Sequence, residues 1–574
     1  MRPAPKTVTR FVSCLLMAGA ALGAPLSAQT VPGRDELRGV TEAPTPTAPR
    51  LDIAGGVERS PCPLADPQYK DVTVTITEAR FGNLKGASPQ DLEPAWKPFA
   101  GSPQPVAALC EIRDAAATIL RNKGYLAAVQ VPTQRIENGI VQFEVLYARV
   151  SAIRARGQTQ GAERKLQDYL GHLTEGELFN RFEAERYLLL ARDLPGYNVQ
   201  LTLRPAGDTP GDLIGEVTVL RQPYTVDATV QNYAASATGP WGGQIRASAF
   251  GLTGLGDATT LSFYSTSDFE EQQILQAAHE FRPGGEGLRI GGQFTYAWTR
   301  PDLGAAAAPN TRLEARTLFA GLSADYPIKR SQGASVWLGA GFDLVNQDVD
   351  LIAPLSRDRL RVLWTQMRFD SVDLKSRLPR WRASGDIELR QGIGGTDGCL
   401  GATCPAGPAP SRFDGRAGAT LLRAKLSGEI ALGQAFAIAF EPRAQYAFQP
   451  LLAFEEFTTG NYTVGRGYDP GALSGDDGVG LKAELRGPRV PVGTGFSFQP
   501  YGFYDSARVW NRGVGGGSDT LYSVGGGARG AISDRLNFDA TLAVPLKDAG
   551  LLGQKGDVRF LITITARLLP WRTN

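Results

Sequence analysis

Histidine is almost missing from this chain: 574 residues contain two, His172 and His279. They cannot supply an H-E-x-x-H zinc site, and neither lies near the G-x-S-x-G elbow of a serine nucleophile. A surplus of positive charge is also lacking. Lys and Arg number 60 against 58 Asp and Glu, a formal charge of +2, so nothing drives counterion release from nucleic acid. No G-x-x-x-x-G-K-[ST] phosphate loop occurs. The Gly-rich stretches 251–256 and 513–517 precede no helix and read as turns. Adjacent carboxylates such as Glu270 and Glu271 point apart on a strand and make no acid–base pair. Asp348 with Asp350, and Asp476 with Asp477, miss the D-x-[DN]-x-[DN]-G spacing of a calcium loop. These gaps argue against an enzyme, a metal or cofactor site and a nucleic-acid binder. Beyond the N-terminus no run of 18 apolar residues exists, so no transmembrane helix is expected.

The N-terminus itself reads as an export signal. Arg2, Lys6 and Arg10 precede an apolar run over 11–23, and Ser27 and Ala28 offer small residues for cleavage after Ala28. The run is too short to span a bilayer, which takes about 20 residues. Loss of residues 1–28 leaves 57 basic against 58 acidic side chains, a nearly neutral chain. Cys14 leaves with the signal. Cys62 and Cys110 then flank the first folded segment, and Cys399 and Cys404 stand in a Gly/Pro-rich stretch. An even count in an exported chain favours the disulfides Cys62–Cys110 and Cys399–Cys404. Metal binding is the rival, but neither pair has a histidine or third cysteine beside it.

After a Pro/Thr-rich linker, Val72, Val74 and Ile76 alternate with Thr73, Thr75 and Thr77, which predicts a half-buried strand. Ile112, Ala115, Ala116 and Ile119 predict a helix over about 111–123, stopped by Gly124. Strands follow near 126–133 and 140–147. The order then repeats, with a strand over 150–155 and a helix over 162–170. Asn180 is positioned to cap the next helix, with Glu183 completing a capping-box variant. Ala184, Tyr187, Leu188 and Ala191 form that helix's buried stripe, and Pro195 and Gly196 end it. Two strands close the module, the first alternating at Val199, Leu201 and Leu203. Two tandem α/β modules of about 75 residues thus share one topology, and each leaves an edge strand.

From about residue 224 the chain changes character. Segments of about ten residues alternate apolar and polar between Gly, Asp, Asn and Pro. Val558, Phe560, Ile562 and Ile564 face one way, and Arg559, Thr563, Thr565 and Arg567 the other. A soluble sandwich would bury the apolar face, whereas a membrane barrel turns it to lipid and keeps a polar lumen. Alternation alone does not choose between them. The export signal, the absence of another anchor and the length of the strand-only tract favour the barrel. Some 350 residues at roughly 22 per strand and connection allow about 16 strands.

The motifs now resemble a known family, the outer-membrane transporters of two-partner secretion (TpsB, or ShlB/FhaC-like proteins). Asn180, Glu185-Arg186, Asp193-Leu194-Pro195-Gly196 and Leu203-Arg204-Pro205 resemble the second POTRA (polypeptide-transport-associated) domain of that family. Gly124-Tyr125, Val131-Pro132 and Gln134 resemble the end of the first. Val464-Gly465-Arg466-Gly467-Tyr468, continuing through Asp469-Pro470, resembles the signature of a long loop that folds back into the barrel. Gly465 replaces the aliphatic residue common before the arginine. Phe503-Tyr504-Asp505 resembles the F-x-D strand motif. The domains implied are a signal at 1–28, a linker at 29–70, POTRA modules at 71–149 and 150–221, and a barrel at 222–574. Family members often have a helix that plugs the lumen, and here only the short stretch 33–38 is a candidate for it.

The resemblance implies an outer-membrane transporter that moves one large unfolded TpsA-like exoprotein from periplasm to cell surface, with no cofactor. Its other partners would be outer-membrane lipid and, for biogenesis, the barrel-assembly machinery and periplasmic chaperones. It also implies that the Arg466 guanidinium meets Asp505 on the inner wall, a contact suited to the planar arginine fork. A barrel-protein insertase of the same superfamily and a passive porin are the alternatives. An insertase usually carries more POTRA domains, and a porin needs none.

Overall fold

The structure is a computed structural model. It describes residues 31, 33, 34, 37, 62–206, 211–303, 311–376, 378–399, 404, 407–493, 495–513, 516–533, 535–549 and 556–569. The expected export segment lies outside them.

The first module runs β1 (Glu78–Gly82), α1 (Pro89–Trp96), α2 (Ala108–Asn122), β2 (Ala127–Gln130) and β3 (Ile140–Tyr147). The sheet order is β1-β3-β2, with β1 parallel to β3 and β2 antiparallel to it. Ser88 and Asp91 close a reciprocal capping box on α1, with Pro89 at its first position. Ile112, Ala116 and Leu120 are fully buried at helical spacing on α2, facing Val141, Phe143 and Val145 of β3. Gly124 turns the chain out of α2 at φ +95°, where a side chain would be strained.

One expected strand differs. Over residues 72–77 Thr73 and Val74 pair with Gln104 and Pro105 and Ile76 makes a single bridge to Ala100, and the strand of the sheet begins at Glu78. The alternation reports burial correctly, because Ile76 is fully enclosed. The backbone meanwhile changes partner: the N–H groups of Thr77 and Glu78 both turn to the Gly139 carbonyl, which starts the parallel ladder.

The second module repeats the plan with β4 (Arg149–Gly157), α3 (Glu163–Glu175), α4 (Arg181–Arg192), β5 (Tyr197–Pro205) and β6 (Asp212–Arg221). Its sheet order is β4-β6-β5, again with one parallel and one antiparallel pair. Asn180 caps α4 by accepting from the Phe182 N–H at 2.9 Å. That is one residue short of the Glu183 N–H that a capping box would use.

Sixteen antiparallel strands then close a barrel. They are β7 (Tyr224–Gln231), β8 (Gly242–Phe250), β9 (Ala258–Thr266), β10 (Gln272–Phe281), β11 (Arg289–Thr299), β12 (Glu314–Arg330), β13 (Ala334–Asp350) and β14 (Pro354–Val372). The second half comprises β15 (Trp381–Gly395), β16 (Thr420–Leu432), β17 (Phe436–Ala447), β18 (Asp477–Arg486), β19 (Phe496–Trp510), β20 (Ser518–Ile532), β21 (Leu536–Pro545) and β22 (Arg559–Leu569). A short segment, Val490–Val492, prolongs the β18–β19 hairpin. β22 pairs with β7, from Thr563 opposite Gln231 to Leu569 opposite Val226.

The faces decide between barrel and sandwich. Leu261, Leu338, Leu363, Leu542 and Phe560 point outward and stand about half exposed, while Asp343, Arg390, Asp505 and Ser523 are enclosed. An apolar exterior around a polar interior is stable only where lipid replaces water outside. Among the described residues no helix is long and apolar enough to cross a membrane.

Candidate functional site

The connection between β17 and β18 returns into the lumen instead of projecting from it. Val464 packs there among Phe457, Leu473, Val509 and Leu521. Gly465 sits at φ +113°, and a Cβ there would meet Leu521 Cδ1 at 2.7 Å. A Cβ on Gly467 would come within 2.9 Å of the Pro545 backbone and Ser523. Both positions need glycine because the loop lies directly on the wall. The Tyr468 hydroxyl, held between the carbonyls of Tyr522 (2.9 Å) and Lys547 (2.7 Å), fixes the far side of the turn.

Between these anchors Arg466 reaches Asp505 on β19. Its backbone N–H and Nε donate to Oδ2 at 2.9 and 3.0 Å, and Nη2 donates to Oδ1 at 2.7 Å. Asp505 is completely buried. The guanidinium also lies 3.7 Å from the centre of the Phe503 ring, so both ends of the F-x-D motif grip one side chain. The remaining fork nitrogen, Nη1, donates to Glu484 on β18 at 2.7 Å. Glu484 in turn accepts from Arg529 and Arg486. Sequence reasoning missed Glu484, Arg486 and Arg529. The signal was there: Lys482, Glu484 and Arg486 alternate with Leu481, Ala483 and Leu485, which puts three charges on the inner face of one strand.

A second charged cluster lies nearer the outer mouth. Arg390 is fully enclosed and donates to Asp343, Glu388 and Glu455. Arg34 joins it from the N-terminal segment, donating to both oxygens of Glu388 at 2.8 and 3.3 Å. Leu37, whose N–H closes a helical turn on the Gly33 carbonyl, packs with Tyr264, Ile274 and Phe319 of the inner wall. The short stretch near residue 34 therefore stands in the lumen. Among the described residues, lumenal cavities of about 530 and 840 Å³ lie side by side, with Glu441, Tyr462 and Lys482 bordering both.

The second-module motif does not face open solvent. The Glu185 carboxylate accepts from the Gln332 N–H, and Arg186 donates to the Pro327 carbonyl at 3.0 Å. Asp193 takes both arms of the Arg330 guanidinium at 2.8 Å. Leu194 is buried against the turn at Gly256, and Gly196, at φ +76°, lets the chain pass Phe250. Glu185, Arg186, Asp193 and Leu194 thus meet the barrel's periplasmic turns, and Pro195 ends the helix that carries them. Tyr187 donates to Glu286 of the β10–β11 turn. Burial, aided by that carboxylate, pushes its phenol pKa up and keeps it a donor. His172 stacks on Tyr187, and His279 lies beside Thr259 on the barrel. Asn180 instead works at the joint between the modules, where Tyr125 bridges to it and a Cβ on Gly124 would strike its side chain.

Both disulfides are formed. Cys62–Cys110 ties the entry turn to α2, and Cys399–Cys404 closes a small ring between β15 and β16. Among the described residues no group of three or more metal-ligating side chains is assembled.

Residues 362–530 match the haemolysin secretion/activation proteins ShlB/FhaC/HecB, and residues 74–147 match the ShlB-type POTRA domain. CdiB from Escherichia coli is a similar solved structure, with a TM-score of 0.71, 17% identity and coverage of 99% of this chain and 100% of that one. CdiB from Acinetobacter baumannii follows at 0.64, with 19% identity and 97% of each chain covered. No curated protein sequence matches.

Proposed function

We propose that this chain, which belongs to the ShlB/FhaC/HecB family of two-partner secretion transporters, exports a large unfolded TpsA-like exoprotein. It resides in the outer membrane with its POTRA modules in the periplasm. An extended cargo segment adds to an unpaired POTRA edge strand, where backbone pairing supplies affinity for many sequences. The cargo then enters the polar lumen. For that passage the Arg34 segment leaves its place beside Glu388, and the loop carrying Arg466 holds or moves against the Asp505 wall. No nucleotide enters the scheme.

The observation that carries this reading is the pinned loop: an arginine reaches from an in-folded connection to a buried aspartate inside a closed 16-stranded barrel. A passive porin has no use for two POTRA modules, the second docked on its turns. Deletion of residues 73–149 from the full chain tests cargo capture. The expected result is a folded barrel in the membrane and loss of export of the exoprotein partner. Undiminished export by that deletion would refute the role given to the module.

A further inference from the structure

The outer wall of the barrel carries a cluster of charge where lipid chemistry makes charge informative. Along β14, Arg357, Arg359 and Arg361 alternate with Asp358, Leu360 and Val362, which are 1%, 2% and 3% exposed and face the lumen. The three guanidiniums therefore point outward. Arg316 shares that face on β12, between the enclosed Ala315 and Thr317, and Arg300 follows the end of β11. Glu314, Asp348 and Asp350 lie among them. Arg316 and Arg357 meet Asp350, Arg359 meets Asp348, and Arg300 meets Glu314. Five guanidiniums against three carboxylates leave the patch positive. Arg361 has no carboxylate in ion-pair reach among the described residues. Its Nη1 rests on the carbonyls of Val345 and Leu360 and on Asn346, and the rest of the fork is left over.

The height of the patch is set by the same strand. Leu363, the next outward residue, stands 47% exposed, and Met367 continues the apolar face downward. Leu363 to Val372 spans nine residue steps. At about 3.3 Å per step and a tilt of about 40°, this gives roughly 23 Å, close to the ~25 Å lipid-facing band of such barrels. Arg361 and Arg359 thus stand at the upper rim of that band, level with the headgroups of the outer leaflet. Trp298 and Tyr296, adjoining aromatics on β11, mark the same boundary.

We infer that this patch is a binding site for the phosphate groups of the phosphorylated glycolipid in the outer leaflet, with Arg359 and Arg361 as its principal ligands. A guanidinium can hold two phosphate oxygens at once. The neighbouring Leu363 and Leu389 faces would lie along the acyl chains. This assignment does not depend on what the barrel exports.

The test uses the full-length protein in detergent, titrated with fluorescent diphosphoryl lipid A and, separately, with lipid A stripped of its phosphates. The wild type should bind the phosphorylated lipid more tightly, and increasingly so as salt is lowered. R359Q/R361Q should weaken that binding by about tenfold, as expected when charge-assisted hydrogen bonds are lost, and leave the dephosphorylated lipid unaffected. R361K should restore only part of the affinity that R361Q loses, because an ammonium keeps the charge without the bidentate fork. Heat-modifiable gel mobility verifies that each barrel is folded, and R361Q alone serves if the double variant is not. Equal affinity for the two lipids, or an unchanged double variant, would overturn the inference. So would binding that requires Mg²⁺ and survives R359Q/R361Q, because the ligand would then sit on Asp348 and Asp350.

Discussion

Arg466 serves two carboxylates at once, and that sharing sets what its loss should do. Asp505 is fully enclosed and takes three of the donors, whereas Glu484 has Arg529 and Arg486 as further partners. Removing one side of a buried pair costs about 3–5 kcal/mol, because the other charge is left without a partner. Arg466→Ala should loosen the loop by about that much and Asp505→Ala by less, because Arg466 then keeps Glu484, and both should impair export while the barrel still inserts. The double variant should be little worse than Arg466→Ala alone, since the second change then removes a charge already orphaned. Export assays of the three variants, with heat-modifiable mobility as the folding control, check this; strictly additive defects would mean separate roles. Glu484→Gln should be milder, as Arg466 keeps its Asp505 contact. Arginine and aspartate were legible here from their motifs, but Glu484 was not. It lies 18 residues from Arg466 along the chain, and only the β18–β19 pairing brings it under the same guanidinium.

Two elements act at the ends of the lumen. The turn holding Arg34 and Leu37 fills part of the channel, anchored by the Arg34–Glu388 pair, both of whose side chains are about 95% or more enclosed. Arg34→Ala should release it, and single-channel recording in planar bilayers should show a larger or more frequently open conductance than wild type. An unchanged conductance would mean that the segment is held by its apolar contacts alone. At the periplasmic end, α4 meets the turn after β12 through Asp193 and Arg330. That pair is partly exposed, so Asp193→Ala should cost only about 1 kcal/mol. Its expected sign is faster proteolysis between the second module and the barrel, with normal barrel insertion. The capping and stripe residues of α4 could be read from helical spacing. Its docking could not, because spacing tells which residues are buried and never which surface buries them.

For the molecule as a whole, the disulfides differ in leverage. Cys62 and Cys110 are 48 residues apart, and Cys399 and Cys404 are 5 apart. The loop-closure argument gives the longer bridge about 4 kcal/mol of stabilisation. Cys62→Ala/Cys110→Ala should lower the stability of the first module by that order and its denaturant midpoint accordingly, and Cys399→Ala/Cys404→Ala should leave the midpoints of the first module and the barrel in place. Tryptophan fluorescence of the full chain during urea titration separates these outcomes, because Trp96 reports on the first module.

What the sequence determined by itself is what depends on local periodicity and backbone chemistry. Period-3.6 and period-2 patterns placed both modules, Gly124 and Gly196 marked where helices must end, and the alternation after residue 224 demanded strands. The short span of Thr73 and Val74 shows the limit even there: the pattern recorded that Ile76 is buried, but the ladder was settled by Gly139, 63 residues away. Alternation left open which face met lipid, because an alternating strand satisfies a sandwich and a barrel equally. The export signal and the length of the strand tract favoured the barrel, and closure put the polar face inside. Tertiary structure alone decided that Glu185, Arg186 and Asp193 bind the barrel and that Arg34 stands beside Glu388, 354 residues away. Such contacts join residues far apart in the chain. No local pattern encodes them, since their geometry exists only once sixteen strands have closed on one another.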